Sequence, residues 1–345
     1  MSKPTMQDIA DALGVSRITV WKAMNNRDGV SDEMRAKILE TSRTLGYSKV
    51  PPLLERTISP EITDKGEAEH TVAVVVSRPE SSTFWMQIIH HIAKELSKFH
   101  VNMMYTYLPT VYTPSYRLPA AFGTGEVSGF IVLNVYDSEF IRRLSELSLP
   151  KVFLDTTTNF PYRKLAGDVL YIEGRASVRE ITERLLDTGH NRIGFVGDVG
   201  YAQTNMDRYE GFLDAFKERD LSVDPAYCMI HSLGLKTHYE ELSRFLDFLP
   251  SLPDAFVCAS DYIAHFITQY FEDRNISERN RPLLTGFDNS TEYGNVAGVI
   301  TTVEVDTIAV GTRLAAQILY DINHPDAACE ISYLLTHVIF RGKLS

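Results

Sequence analysis

Near the start of the chain, apolar positions recur at helical spacing in three short runs. Ile9 and Leu13 lie one turn apart in residues 6–13, where Thr5 can cap the first turn and Asp8 suits its positive end. Gly14 supplies the left-handed residue that stops this helix. After the Gly14-Val15 turn, Ser16 is placed to cap a second helix through Arg17, Thr19, Lys22 and Met24, with Val20, Ala23 and Met24 facing inward. Ser31 announces a third helix, with Met34, Ile38 and Leu45 on one face and Gly46 as its stop. Three such helices bury one small core, and a glycine turn between the first two makes a helix-turn-helix.

The pattern then changes twice. Residues 48–70 are irregular, with Pro51, Pro52, Pro60, Gly66 and several acids, as expected of a connection between domains. Beyond His70, β-rich runs alternate with amphipathic ones. Strands are predicted at 71–76, 129–133, 151–155, 192–197, 255–259 and 283–287, and helices at 85–99, 138–147, 174–188, 207–219, 261–275 and 307–322. Such alternation implies an α/β fold of parallel sheets with helices on both faces, and this many units suit two doubly wound lobes better than one sheet. Ligands of open parallel sheets sit at the carboxyl ends of strands. That rule singles out Asp155, Ser260, Asp261 and Asp288, with Arg208 expected at the start of a helix. The predicted domains are therefore 1–50, a link at 51–70, and 71–345.

Charge sharpens the division. The chain carries −11 overall, yet residues 1–56 hold nine Lys/Arg against seven Asp/Glu, which leaves −13 for the remainder. A mildly basic head can approach phosphates while an acidic body is repelled by them. Three scattered cysteines, Cys228, Cys258 and Cys329, suit reduced thiols rather than a disulfide framework or a metal site. With no export signal and no long apolar run, a cytoplasmic location is expected. Neither a metal nor a cofactor is called for, since the neighbouring His90 and His91 point to different faces of their helix.

Residues 6–25 (MQDIADALGVSRITVWKAMN), with 29–31 (GVS) and 45–47 (LGY), closely resemble the DNA-binding head of the lactose repressor (LacI/GalR) family. Matches continue at 189–197 (GHNRIGFVG), 208–212 (RYEGF), 259–261 (ASD), 286–288 (GFD) and 340–342 (FRG), and so cover almost the whole chain. The resemblance implies a three-helix head followed by a two-lobed domain of the type I periplasmic-binding-protein kind. It places Arg17, Ile18 and Lys22 at base-reading positions in the major groove, and Thr5, Ser16, Thr19, Trp21 and Asn25 among the other DNA contacts. The chemistry is compatible: Arg17 and Lys22 can donate to guanine O6 and N7, and Ile18 can meet a thymine methyl. Trp21 departs from the small residue usual there. In the link, the family folds a hinge helix on DNA and wedges an apolar residue into the minor groove, a role for which Leu53 or Leu54 is the candidate.

The same resemblance puts Phe84, Trp85, Asp155, Arg208, Ser260 and Asp288 at positions that contact a small-molecule effector. Carboxylates and a guanidinium can hydrogen-bond vicinal hydroxyls while an aromatic ring lies against the apolar face of a sugar. Ser260 replaces the usual asparagine and removes an amide donor. Taken alone, Asp155 or Asp288 could cap a turn, Arg208 could pair with Glu210, and the aromatic pair could be core. The expected protein is a transcriptional regulator, a repressor in most of the family, whose affinity for a near-palindromic operator is set by a bound sugar. Two heads on a homodimer are expected, and no leucine heptads of the family's tetramer-forming tail follow the last strand. An enzyme and a secreted sugar-binding protein are the rivals. No GxSxG, Walker, HExxH or well-spaced GxGxxG motif supports the first, and the helical head is unexplained by the second.

Overall fold

In the computed structural model the described residues are 5–24, 27, 29–45, 47, 70–77, 83–234 and 237–345. Asn25, Gly46, Leu53 and Leu54 lie outside them, and with them the expected groove contact, helix stop and minor-groove wedge. The chain divides into two compact units, Met1–Glu67 and Ala68–Ser345, each with a hydrophobic core of its own.

The first unit contains α1 (Met6–Leu13), α2 (Arg17–Met24) and α3 (Asp32–Thr44). Thr5 and Asp8 form a reciprocal capping box: Thr5 Oγ1 accepts from Asp8 N, and the Asp8 carboxylate accepts from Thr5 N at 2.6 Å. Gly14, at φ 66°, closes α1. Ser16 Oγ accepts from Thr19 N at 3.0 Å and Ser31 Oγ from Met34 N at 3.3 Å, so both expected caps are made. Each such cap contributes about 1 kcal/mol. Ile9, Ala10, Val20, Ala23, Met24 and Ile38 form the buried core. Arg35 of α3 donates to Ala23 O at 2.8 Å and Arg27 O at 3.0 Å, satisfying carbonyls left open where α2 ends. Leu45 is exposed rather than inward, because α3 ends at Thr44 and leaves it in a turn.

The second unit has two lobes. In one, β1 (Thr71–Val76), β2 (Asn102–Tyr107), β3 (Gly129–Leu133), β4 (Lys151–Leu154), β5 (Asp168–Ile172) and the late strand β10 (Ile331–Leu334) make a parallel sheet in the order β10-β5-β4-β3-β1-β2. Side chains of a strand alternate between faces, and both faces here are covered. Val72, Val74 and Val76 join a core with Ile88 and Ile92 of α4 (Thr83–Ser97) and Leu314 and Ile318 of α11 (Thr307–Asn323). Ala73 and Val75 join a second core with Phe122 of α5 (Ala121–Thr124) and Phe140, Ile141 and Leu144 of α6 (Ser138–Ser145).

The other lobe holds α7 (Arg175–Asp187), β6 (Ile193–Val196), α8 (Gln203–Lys217), α9 (His238–Asp247), β7 (Ala255–Cys258), α10 (Asp261–Asp273) and β8 (Leu283–Thr285). Strands β6-β7-β8 run parallel, and β9 (Thr302–Glu304) pairs antiparallel with β11 (His337–Ile339). The chain crosses between the lobes three times: from β5 to α7, from β9 to α11 and from β10 to β11.

One further expectation needs correction. Helix α8 begins at Gln203, so Arg208 is its sixth residue and projects from its second turn instead of opening it. His90 is exposed while His91 is half-buried towards Gly311 of α11, and their rings meet edge to face with centroids 5.2 Å apart. Strands β2, β5 and β10 were not apparent in the alternation of apolar runs. β2 and β10 are half-exposed edges of the sheet, and β5 opens with an acid, Asp168, whose carboxylate accepts from Glu330 N at 2.8 Å and from the amide of Gln317.

Candidate functional site

In the first unit, α2 has two faces. Val20, Ala23 and Met24 are buried, while Arg17, Ile18 (67% exposed) and Trp21 (46% exposed) project outward together. An isoleucine and a tryptophan side by side on solvent are costly unless something covers them. Trp21 therefore shares the outward face with Ile18 instead of turning into the core. Ser16 and Thr19 share a 2.8 Å hydrogen bond at the start of this helix. Lys22 is half-buried, its ammonium 3.3 Å from where a β-carbon on Gly29 would stand. The Thr5 hydroxyl is engaged in the α1 cap.

In the second unit, strand ends from both lobes open into one cavity of about 530 Å³. Phe84, Trp85, Asp155, Arg208, Ser260 and Asp288 all line it, so the structure brings together the whole set proposed for an effector. Also on its walls are Asn134, Tyr136, Tyr201, Thr204, His238, Tyr262 and Tyr293, none of them among the residues expected there from the sequence. Asn134 and Tyr136 stand just past the end of β3, where the strand-end rule could have found them. No comparable signal marks Tyr201 or Thr204.

Asp155 follows β4 with φ 65°, a left-handed conformation. Its carboxylate is held at four points: Thr204 Oγ1 donates at 2.6 Å, Thr204 N at 3.3 Å, Thr156 N at 2.7 Å and Tyr136 OH at 3.2 Å. Ala202, ahead of α8, offers no side-chain cap, and Thr204 N is an orphan donor of the first turn. Asp155 thus caps a helix of the opposite lobe and ties the lobes together. Gln203 N donates to Thr156 O at 2.8 Å and Tyr201 OH to Asn134 Oδ1 at 2.9 Å across the same seam. Burial raises the Asp155 pKa to about 6, against the pull of these donors and of Arg208.

Arg208 is buried, with Nη1 donating to Ala259 O at 2.6 Å and its guanidinium carbon 3.6 Å from the centre of the Phe287 ring. It does not pair with Glu210, which instead binds Arg175. Burial lowers its pKa, opposed by Asp288 and Asp155. Room for the guanidinium depends on Gly174, where a β-carbon would stand 2.8 Å from Arg208 Cγ. Asp288, at φ 101°, is half-buried on the cavity wall. Burial raises its pKa to about 7, offset by Arg208 and reinforced by Asp261. Asp261 sits behind the wall, bound by Thr302 Oγ1 and Ser290 N, both at 2.7 Å. Ser260 caps α10 through Ile263 N at 3.4 Å and also reaches the cavity. Phe84 and Trp85 meet edge to face, centroids 5.3 Å apart. Carboxylates, a guanidinium, hydroxyls and ring faces in one cleft can bind a polyhydroxylated ligand and orient its ring.

A capped helix-turn-helix with an outward basic-apolar face, joined in one chain to two parallel-sheet lobes around a polar cleft, defines the class of ligand-responsive DNA-binding regulators. Comparisons with known proteins agree: residues 5–49 match the bacterial regulatory proteins of the lacI family, and 182–342 match a periplasmic binding protein-like domain. The chain belongs to the LacI/GalR family of transcriptional regulators, whose helix-turn-helix binds operator DNA. It is 25% identical to the HTH-type transcriptional regulator GanR of Bacillus subtilis (strain 168), over 99% of both chains. It is 24% identical to the HTH-type transcriptional regulator RegA of Clostridium saccharobutylicum, over 96% of both. Among solved structures, a complex of the transcriptional regulator CelR with cellobiose matches with TM-score 0.66 at 20% identity, covering 98% of this chain and 99% of that one. The lac repressor dimer bound to operator and the anti-inducer ONPF matches with TM-score 0.63 at 17% identity, covering 99% and 98%.

Proposed function

We propose that this protein is a cytoplasmic repressor that acts as a homodimer, reads a near-palindromic operator through α2, and changes its DNA affinity when a carbohydrate occupies the cleft. The observation that carries this reading is the pairing, in one chain, of an outward Arg17-Ile18-Trp21 face with a cleft holding Asp155, Arg208 and Asp288. Residues 1–50 are the reading head, 51–70 the link and 71–345 the sensor domain. On DNA, Arg17, Ile18 and Lys22 contact base edges, and Thr5, Ser16, Thr19, Trp21 and Asn25 position the head. Leu53 or Leu54 enters the minor groove. One head buries little surface, so two heads on a dimer are needed for specific binding. The sugar-bound and operator-bound relatives support both ligands.

The sensor has the parts of a two-state device. Asp155, Thr204, Tyr136 and Tyr201 lie on the seam between the lobes, so a ligand that competes for or adds to their hydrogen bonds changes how the lobes sit. A catalytic role is disfavoured because the Asp155 carboxylate is engaged by four donors and so is poorly placed to shuttle protons. Operator affinity measured with and without saccharides tests the proposal. Equal affinity throughout a broad panel, or turnover of a glycoside by the purified protein, would overturn it.

A further inference from the structure

The cleft does not end at the cavity just described. A second cavity of about 520 Å³ adjoins it, and the two share Thr110, Asn134, Tyr136, Asp198 and Tyr201 as a common wall. At the centre of that wall, the Tyr136 and Tyr201 rings approach to 4.2 Å between centroids, one from each lobe. Asn134 stands beside them, 4% exposed and at φ 54°. Its Oδ1 is taken by Tyr201 OH, while its buried Nδ2 has no hydrogen-bond partner. Arg208 Nε, on the first cavity, is likewise buried without a partner. Buried donors of this kind carry a desolvation cost that a ligand acceptor removes.

Charge narrows the chemistry further. Among the described residues, the first cavity is lined by four carboxylates, Asp155, Asp198, Asp288 and Glu292, against the guanidinium of Arg208, and the second adds Asp137. A phosphate or carboxylate on the ligand would face like charge from these carboxylates, with Arg208 as the one guanidinium among the described lining residues. Hydroxyls, which donate to carboxylates and accept from Asn134 and Arg208, suit the same set.

We propose that the cleft recognises an uncharged oligosaccharide of at least two rings. One ring lies between Arg208, Asp288 and the aromatic wall of the first cavity, the next lies beyond the Tyr136–Tyr201 pair, and the Asn134 amide bonds the ligand where the rings join. This rests on the carbohydrate reading of the same cleft and adds length and charge to it. Either cavity is of the size that holds one small ligand, and together they extend the site past a single sugar.

The test is calorimetric titration of the full-length protein with glucose, galactose, mannose and xylose, each as monomer, α- and β-linked dimer and trimer, and as its phosphate ester or uronate. A neutral dimer or trimer is expected to bind at least about tenfold more tightly than its monomer, and its charged counterpart about tenfold more weakly. Asn134→Gly tolerates the left-handed backbone and removes the whole side chain, the Oδ1 acceptor for Tyr201 included, so it should shrink the advantage of dimer over monomer towards one. A monomer that binds as tightly as any oligomer, a phosphate or uronate that binds best, or an unchanged ratio in Asn134→Gly overturns the proposal and leaves the carbohydrate reading standing. Failure of every saccharide, with operator binding intact, overturns both.

Discussion

The reading helix and the sensor cleft solve opposite problems. In the head, Ser16 to Lys22 form one short segment, so a single capped helix sets the mutual geometry of Arg17, Ile18 and Trp21. In the cleft, Phe84, Asp155, Arg208 and Asp288 come from both lobes and are held by hydrogen bonds between distant residues, such as Thr204 to Asp155. A local site depends on a small core and a few caps. A distributed one depends on every strand that delivers a residue. The head is therefore vulnerable to loss of its core and the cleft to loss of single polar partners.

The largest expected effect would break the comparison if the two units were not independent. Ile38→Ala removes one of the six buried apolar side chains among the described residues of the head and should cost about 2 to 5 kcal/mol, enough to unfold so small a unit. Operator binding should vanish while calorimetry shows the thermal transition of the sensor unchanged. A downward shift in both transitions would contradict independence.

Arg208→Met should cost about 2 to 5 kcal/mol in effector binding, because it leaves Asp288 and Asp155 without their nearest cation. Operator binding in the absence of effector should survive, which a gel-shift titration beside a ligand titration can establish. Thr204→Val removes the 2.6 Å donor to Asp155 and should cost the sensor about 1.5 to 3 kcal/mol, read from urea unfolding. An unchanged midpoint would mean that the interlobe cap is dispensable.

Arg17→Ala should weaken specific operator binding by about 1 to 3 kcal/mol and relax base preference at one position of each half-site, with no change in effector affinity. The smallest effect concerns pH. Asp155 and Asp288 are raised from the ordinary value of 3.8 to about 6 and about 7. Between those limits the folded sensor holds protons that the unfolded chain has released, so these groups make the unliganded sensor lose stability as pH rises from about 4 to about 7. Asp261, raised to about 6, acts in the same direction. Hydroxyls that donate to Asp288 favour its ionised form, so effector binding should release protons and strengthen through the same window. Titration calorimetry in two buffers of different ionisation heat detects this, and proton uptake on binding would reverse the assignment.

Much of the molecule was legible in the chain because its signals are short-range. The caps at Thr5, Ser16 and Ser31 and the glycine at 14 depend on residues three or four positions away, and the structure makes each bond that the spacing predicts. The predicted buried strands 71–76 and 129–133 coincide with β1 and β3, since a continuous apolar run of that length has few other fates. The start of α8 was misplaced for the complementary reason. The residue that caps it, Asp155, lies far back in the chain and in the other lobe. Asn134 and Tyr136 were within reach of the strand-end rule, just past β3, whereas the neighbours of Tyr201 and Thr204 in sequence say nothing about which cavity they reach.

By itself the chain determined three capped helices, an alternating β and α body, the basic and acidic division and the family to which these belong, all through contacts between near neighbours. Only the tertiary structure decided that Asp155 is a bonded latch between lobes while Asp288 faces the cavity, and that the cleft continues past Tyr136 and Tyr201. Those properties arise where the two lobes meet, and burial, pKa and the partners of a carboxylate there depend on what the opposite lobe presents.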